Sequence, residues 1–190
     1  PYRRQRQMCI RDSKEINRTP AKTVFVLPNN KNIIMAAEQC VRLSDKKVII
    51  IPTRTVPQGI SAMLNFNPEE TEENLIAAMN EAAGNVHTAM VTYAARDSDF
   101  DGFDIHAGDY LGLCDGALAG TAREITTLLA SLADKAAEAG KEFINIFYGA
   151  DTTPEQASHA AGLFTKALPN AEVNVLSGGQ PIYYYLISAE

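Results

Sequence analysis

The chain has no tryptophan, only three cysteines in 190 residues, and a net charge of −6 with no surplus of basic residues to offset it. Each shortage excludes something. Cys9, Cys40 and Cys114 are odd in number and widely spaced, and none falls in a CxxC pair, so neither a disulfide framework nor a zinc knuckle is signalled. A reducing compartment, the cytoplasm, fits that pattern. Past the first few residues lysine and arginine do not cluster, which argues against a nucleic-acid partner. No apolar run is long enough to cross a bilayer, and no secretory signal peptide opens the chain. There is no GxxxxGK[ST], no GxGxxG after a strand and no GxSxG, so no standard nucleotide cradle and no nucleophile elbow. His87, His106 and His159 are too scattered for a metal site and read as surface or hairpin histidines. No catalytic residue and no metal ligand is assigned. What is present, 46% hydrophobic and 21% charged residues, is the composition of an ordinary globular protein.

The opening is out of character with the rest. Pro1 to Arg6 is basic and patternless, and Gln7 to Ser13 resembles the peptide that a common sequencing-library adapter spells when translated. Residues 1–13 therefore read as a non-native leader on a chain truncated at that end. Residues 14–190 are the domain proper, with a first lobe over about 14–85, a hairpin segment over about 86–120 and a second lobe over about 121–190.

One stretch organises the first lobe. Thr23-Val24-Phe25-Val26-Leu27 is β-branched and aromatic, Pro28 cuts it, Asn29 and Asn30 form a polar turn, and a helical pattern starts at once. Ile33, Ala36, Ala37, Cys40 and Val41 fall on one face of that helix, predicted over 31–43. Lys47 to Ile51 is a second apolar strand; Pro52 ends it, Thr53-Arg54-Thr55 is a second polar loop, and 57–66 is a short helix with Thr55 and Gln58 as its capping box. Consecutive units of this kind send their loops out on one edge of a parallel sheet, where ligands and partners bind. Asn29, Asn30, Lys31, Asn32, Thr53, Arg54, Thr55 and Gln58 are thus candidate partner- or anion-binding residues, since free N–H groups, the helix dipole and cationic side chains suit an anion. The plainer alternative is that the asparagines cap the helix and Lys31 is solvated.

Further along, Asn67 with Pro68 predicts a helix start, with Leu75, Ile76, Met79 and Ala83 as its buried stripe and Gly84 at its end. A strand over 86–95 is followed by a turn at Ala107 to Asp109 and an Asp115-Gly116 hairpin, with 117–119 as the return strand. Thr121 and Glu124 read as a capping box for the next helix. Strand 143–148, a helix capped by Thr153 and Gln156, strand 173–176, a turn through Gly178, Gly179, Gln180 and Pro181, and a last strand over 182–187 complete the chain. Asp97 to Gly102 matches the first half of a calcium loop, but the twelfth position is Gly108 instead of Glu, and a strand precedes it where an EF-hand needs a helix. An acidic loop before a hairpin strand is the better reading. Cys40, Cys114, Met63 and Met79 read as core residues, and alternation puts Tyr183 and Tyr185 on one face of the last strand and Tyr184 on the other.

Four segments taken together, Leu27 to Gln39, Ile51 to Gly59, Val91 to Asp97, and Gly178 to Pro181 near a terminal Ile187 to Glu190, resemble one family. It is the C-terminal region of the bacterial fatty acid kinase catalytic subunit, which is also labelled a dihydroxyacetone-kinase-like or DAK-phosphatase protein. The resemblance covers roughly residues 14–190. It implies an α/β, DegV-like fold: a mostly parallel sheet flanked by helices, an antiparallel hairpin segment in the middle and a second βα lobe. It implies that ATP and magnesium belong to a DhaL-like N-terminal domain absent from this chain, so this piece carries no cofactor and is inactive alone. It implies a separate fatty-acid-binding subunit of the DegV family as partner, an acyl phosphate product feeding phospholipid synthesis, and leaves room for a homodimer of the full-length protein. Gln180 joins the candidate site residues on this basis. The alternative is a DegV-like domain binding a fatty acid or an anion in its own pocket; a phosphatase, as the old label suggests, finds no metal-ligand set or nucleophile–base pair.

Overall fold

The structure, a computed structural model, describes residues 13–100 and 102–190. The chain divides into two compact units, one ending at Asn85 and the other running from Val86 to Glu190. All but one residue of the expected leader lies outside the described residues.

In the first unit, helical residues 13–18 (α1) lead into β1 (Thr23–Val26), α2 (Lys31–Val41), β2 (Lys47–Ile50), α3 (Val56–Leu64) and α4 (Glu72–Asn85). β1 and β2 pair in parallel, Thr23 opposite Lys47 and Val26 opposite Ile50. Alternation along the two strands feeds two small cores. Val24, Val26 and Val48 pack with Ile16 and Ala36 on one face. Phe25, Leu27, Ile49 and Ile51 pack with Ala62, Leu75 and Met79 on the other. Leu75, Met79 and Ala83 are the buried stripe of α4, with Ile76 packed beside them. That helix does not start at Asn67. The Asn67 side chain instead accepts the Glu69 N–H at 3.1 Å in a local turn, and Thr71 caps α4 by accepting the Asn74 N–H at 3.3 Å. Nor does α4 stop at Gly84; it ends at Asn85. Met63 is 50% exposed and not core. The side chain of Cys40 lies outside those described.

In the second unit β3 (His87–Tyr93), β4 (Ser98–Phe100), β5 (Phe103–Ile105), β6 (Tyr110–Cys114) and β7 (Ala117–Ala122) precede α5 (Ile125–Glu138), β8 (Phe143–Tyr148), α6 (Pro154–Ala167), β9 (Glu172–Ser177) and β10 (Tyr185–Ala189). Six strands form one sheet in the order β7-β6-β3-β10-β8-β9. The α/β class with a helix-flanked sheet holds, but the expected parallel predominance does not: within this sheet β8 and β9 run parallel, while the other neighbouring pairs are antiparallel. β10 inserts between β3 and β8 antiparallel to both, and β3, β6 and β7 pair antiparallel in turn. Of the hairpin segment, β3, β6 and β7 belong to this same sheet, while β4 and β5 form a separate two-stranded one. Asp115 and Gly116 have φ of 51° and 88°, the left-handed pair a two-residue hairpin turn requires.

α5 and α6 bury Leu128, Leu129, Leu132, Ala157, Ala160 and Phe164 against Val91, Ile144, Ile146 and Ile187 of the sheet. Thr153 and Gln156 form a complete capping box on α6. The box expected at Thr121 does not form; Thr121 extends β7, the N-cap residue of α5 is Glu124, and Glu124 makes no side-chain cap bond. Strand pairing of Thr121 with Leu111 has overridden the local cap signal. The acidic stretch from Asp97 is not a plain loop, since β4 and β5 pair across it as a small hairpin. Cys114 is half-buried, and burial pushes its thiol pKa up against a smaller opposing pull from Lys135.

Candidate functional site

The parallel pairing of β1 and β2 carries both polar loops of the first unit to the same strand ends. A hydrogen bond stitches them together: the Thr53 hydroxyl, 1% exposed, donates to the Pro28 carbonyl at 2.6 Å. Thr53 is therefore a structural residue whose side chain faces the protein. Asn30 caps α2, its carbonyl accepting the Ile33 N–H at 3.0 Å and its side chain the Asn32 N–H at 2.9 Å. Thr55 caps α3 by accepting the Gln58 N–H at 3.4 Å, while the Gln58 side chain accepts the Arg54 N–H at 2.8 Å. These four polar residues hold the loops in shape.

Asn29, Lys31, Asn32 and Arg54 are exposed. Neither Lys31 nor Arg54 forms an ion pair among the described residues, and α2 has no acidic residue in its first turn. The edge thus offers two uncompensated cations beside a positive helix end.

Below it runs a cleft of about 480 Å³. Leu27 lines it, Asn29 and Thr55 stand at its polar side, and Val56, Ile60 and Met63 of α3 form its apolar wall. Val56 is 47%, Met63 50% and Leu64 81% exposed. The sequence reading missed this wall because it placed Met63 of α3 in the core and assigned its apolar neighbours to no surface. The signal was available: VPQGISAML is apolar nearly all round, more than one packed face can bury.

Gln180 belongs to the second unit. There its amide donates to the Phe147 carbonyl at 2.9 Å and the Tyr183 carbonyl at 3.4 Å, fastening the turn after β9 onto the end of β8. The loop edge holds amides, hydroxyls, an ammonium and a guanidinium. Such groups bind and orient; they include no nucleophile with an adjacent base.

The architecture is that of DegV-type proteins. The chain superposes on a DegV family protein, Cg2579, from Corynebacterium glutamicum with a TM-score of 0.69 at 14% identity, covering 97% of this chain and 81% of that one. It superposes on the Streptococcus pneumoniae Fatty Acid Kinase (Fak) B3 protein, solved loaded with linoleic acid, with a TM-score of 0.68 at 12% identity over 94% and 75% of the two chains. The family is narrower than the fold. The model of the FakA-like C-terminal domain of fatty acid kinases matches residues 11–190, and the chain belongs to that family. It is 39% identical over 170 residues to Protein YloV of Bacillus subtilis (strain 168), covering 90% of this chain and 31% of that protein. The chain thus spans about a third of the length of the curated relatives it matches.

Proposed function

We propose that this chain is the non-catalytic C-terminal region of a fatty acid kinase, docking a fatty-acid-binding subunit of the DegV family. In this reading an ATP- and magnesium-binding domain elsewhere in the whole protein phosphorylates the presented fatty acid. The acyl phosphate then feeds phospholipid synthesis in the cytoplasm. The observation that carries the reading is the exposed apolar wall of α3 beside a loop edge with two uncompensated cations. A contiguous apolar surface with a polar rim is the usual anatomy of a protein interface. No helix among the described residues is long and apolar enough to cross a membrane. The test is a binding titration between this chain and the fatty-acid-binding subunit. Saturable binding should weaken at least tenfold with Met63→Asp or Leu64→Asp, and less with Lys31→Ala or Arg54→Ala. Unchanged affinity in all four variants moves the interface off this face.

A second reading has its own support. The cleft beside Asn29 and Thr55 is apolar and of ligand size. It suits an anionic amphiphile, a fatty acid above all, held by the domain itself. Co-purified lipid identified by mass spectrometry, and lost in Ile60→Asp, favours it; a lipid-free protein that ignores added fatty acid removes it.

A further inference from the structure

β9 closes one edge of the six-stranded sheet, and among the described residues no strand lies beyond it. The Glu172 and Gly178 N–H groups donate to the Glu142 and Tyr148 carbonyls at 2.8 and 3.0 Å. Backbone direction alternates along a strand, so the even-numbered residues of β9 bond to β8, while the N–H and C=O groups of Val173, Val175 and Ser177 point outward. Three donors and three acceptors in a row are a template for another strand.

The opposite edge, β7, is blunted. Its pairing with β6 slips at Ala119, between the Gly112–Gly120 and Leu113–Leu118 pairs, and Lys135 donates to the Ala119 carbonyl at 2.7 Å. A bulge and a lysine are two of the devices that keep an edge unpaired. β9 has neither: it pairs with β8 without a slip over all six residues and contains no proline and no lysine. It also shows apolar surface, Val175 at 38% and Leu176 at 43% exposed. Above it α6 presents small residues. Ala157, Ala160 and Phe164 are the buried face of α6, and Gln156 and His159 border a cleft shared with Ile125 and Leu129 of α5. Helical spacing puts Ser158, Gly162 and Thr165, all exposed, on the flank away from α5. A Cβ at Gly162 would meet no atom within 4 Å. Nothing inside the second unit therefore calls for a residue that weakens a helix interior, whereas a second backbone passing close by would.

From this open edge and the small-residue flank above it, we propose that β9 pairs with β9 of a second copy of the chain about a twofold axis through Val175. Such a contact demands a surface complementary to itself. Antiparallel pairing on this axis sets Val175 opposite the partner's Val175 and Val173 opposite the partner's Ser177, so each outward residue forms a doubly hydrogen-bonded pair. It sets Glu172 opposite the partner's Gly178, so no like charges face each other. The same axis lays the two α6 helices side by side and antiparallel on one face of the joined sheets. The acidic first turn of one, with Glu155, then runs alongside the basic last turn of the other, with Lys166. This inference does not rest on the docking reading, which concerns the first unit.

The experiment is sedimentation equilibrium of the chain carrying Leu64→Lys, so that association through α3 does not enter, with amide exchange followed by NMR at rising protein concentration. The mass should approach twice 20.6 kDa. The N–H groups of Val173, Val175 and Ser177 should exchange at least tenfold more slowly in the dimer than in the monomer. Val175→Pro removes an outward N–H and leaves the bonds to β8 in place, and Gly162→Leu adds bulk where the chain alone has room. Each should return the mass to that of a monomer, Gly162→Leu with no fall in the thermal midpoint, while Ala117→Lys on the β7 edge should leave the dimer intact. A monomer at every concentration, a dimer indifferent to Val175→Pro and Gly162→Leu, or a dimer in which the three amides stay unprotected overturns the proposal. A monomer whose three amides are slowed only by added fatty-acid-binding subunit overturns it in favour of that partner.

Discussion

Thr53 and Thr121 both hold a hydroxyl away from water, and they should respond in opposite directions to its loss. Thr53→Val removes the donor that satisfies the Pro28 carbonyl and should cost about 1–3 kcal/mol in urea unfolding, with Thr53→Ser retaining most of the stability. The Thr121 Oγ1 is buried with no partner among the described residues, so Thr121→Val should be neutral or stabilise by about 1 kcal/mol. The tyrosines titrate with a defined sign. Burial first, then neighbouring Tyr110, and for Tyr184 also Asp151, raise the phenol pKa of Tyr184 and Tyr185 above the usual value. A raised folded-state pKa means their contribution is whole below pH about 10 and is lost as pH climbs through the folded values. A spectrophotometric alkaline titration should show a late phenolate phase that shrinks in Tyr184→Phe and Tyr185→Phe.

At the level of elements, what the sequence displayed was whatever local pattern decides. Strand 143–148, the box at Thr153 and the Asp115-Gly116 turn were legible because neighbouring residues alone specify them. Thr121 was misread because its cap signal competes with a cross-strand partner that sequence spacing does not reveal. β10 was placed at 182–187 and lies at Tyr185–Ala189, since Ile182 takes a φ of 74° and breaks the extended run. Its antiparallel insertion is a long-range pairing with no local signature. The candidate site was legible in its loops and not in its wall: Asn30 and Thr55 announce caps, but whether Met63 faces core or solvent depends on what packs beside α3. Gly149 marks another such dependence. A Cβ there would run into the Tyr183 carbonyl and come within 2.8 Å of the Gln180 carbonyl. Gly149→Ala should therefore destabilise by about 1–3 kcal/mol and loosen the 180–184 turn, seen as faster amide exchange at Ala150, whose N–H donates to Gln180.

On the scale of the whole molecule, the two units have separate cores of unequal size. Among the described residues, the second buries thirteen in one cluster, while the first divides a smaller set between two faces of a two-stranded sheet. The second unit should be the more resistant, so amide exchange should be slowest in β3, β8 and β10 and faster throughout β1 and β2. The exposed wall of α3 should also make the isolated chain self-associate at high concentration, with Leu64→Lys lowering its apparent mass in sedimentation.

The position of β10 has a consequence for how the protein is made. This strand follows the other five of its sheet in chain order and so leaves the ribosome after them, yet it lies between β3 and β8, and Glu190 extends the ladder through backbone bonds with Phe143. Until residues 185–190 emerge, β3 and β8 face each other across a vacant lane with their edges open, while β1 and β2 of the first unit are free to pair. A nascent chain stalled short of them would carry a paired first unit joined to a sheet split down the middle, which is the form a quality-control protease would find.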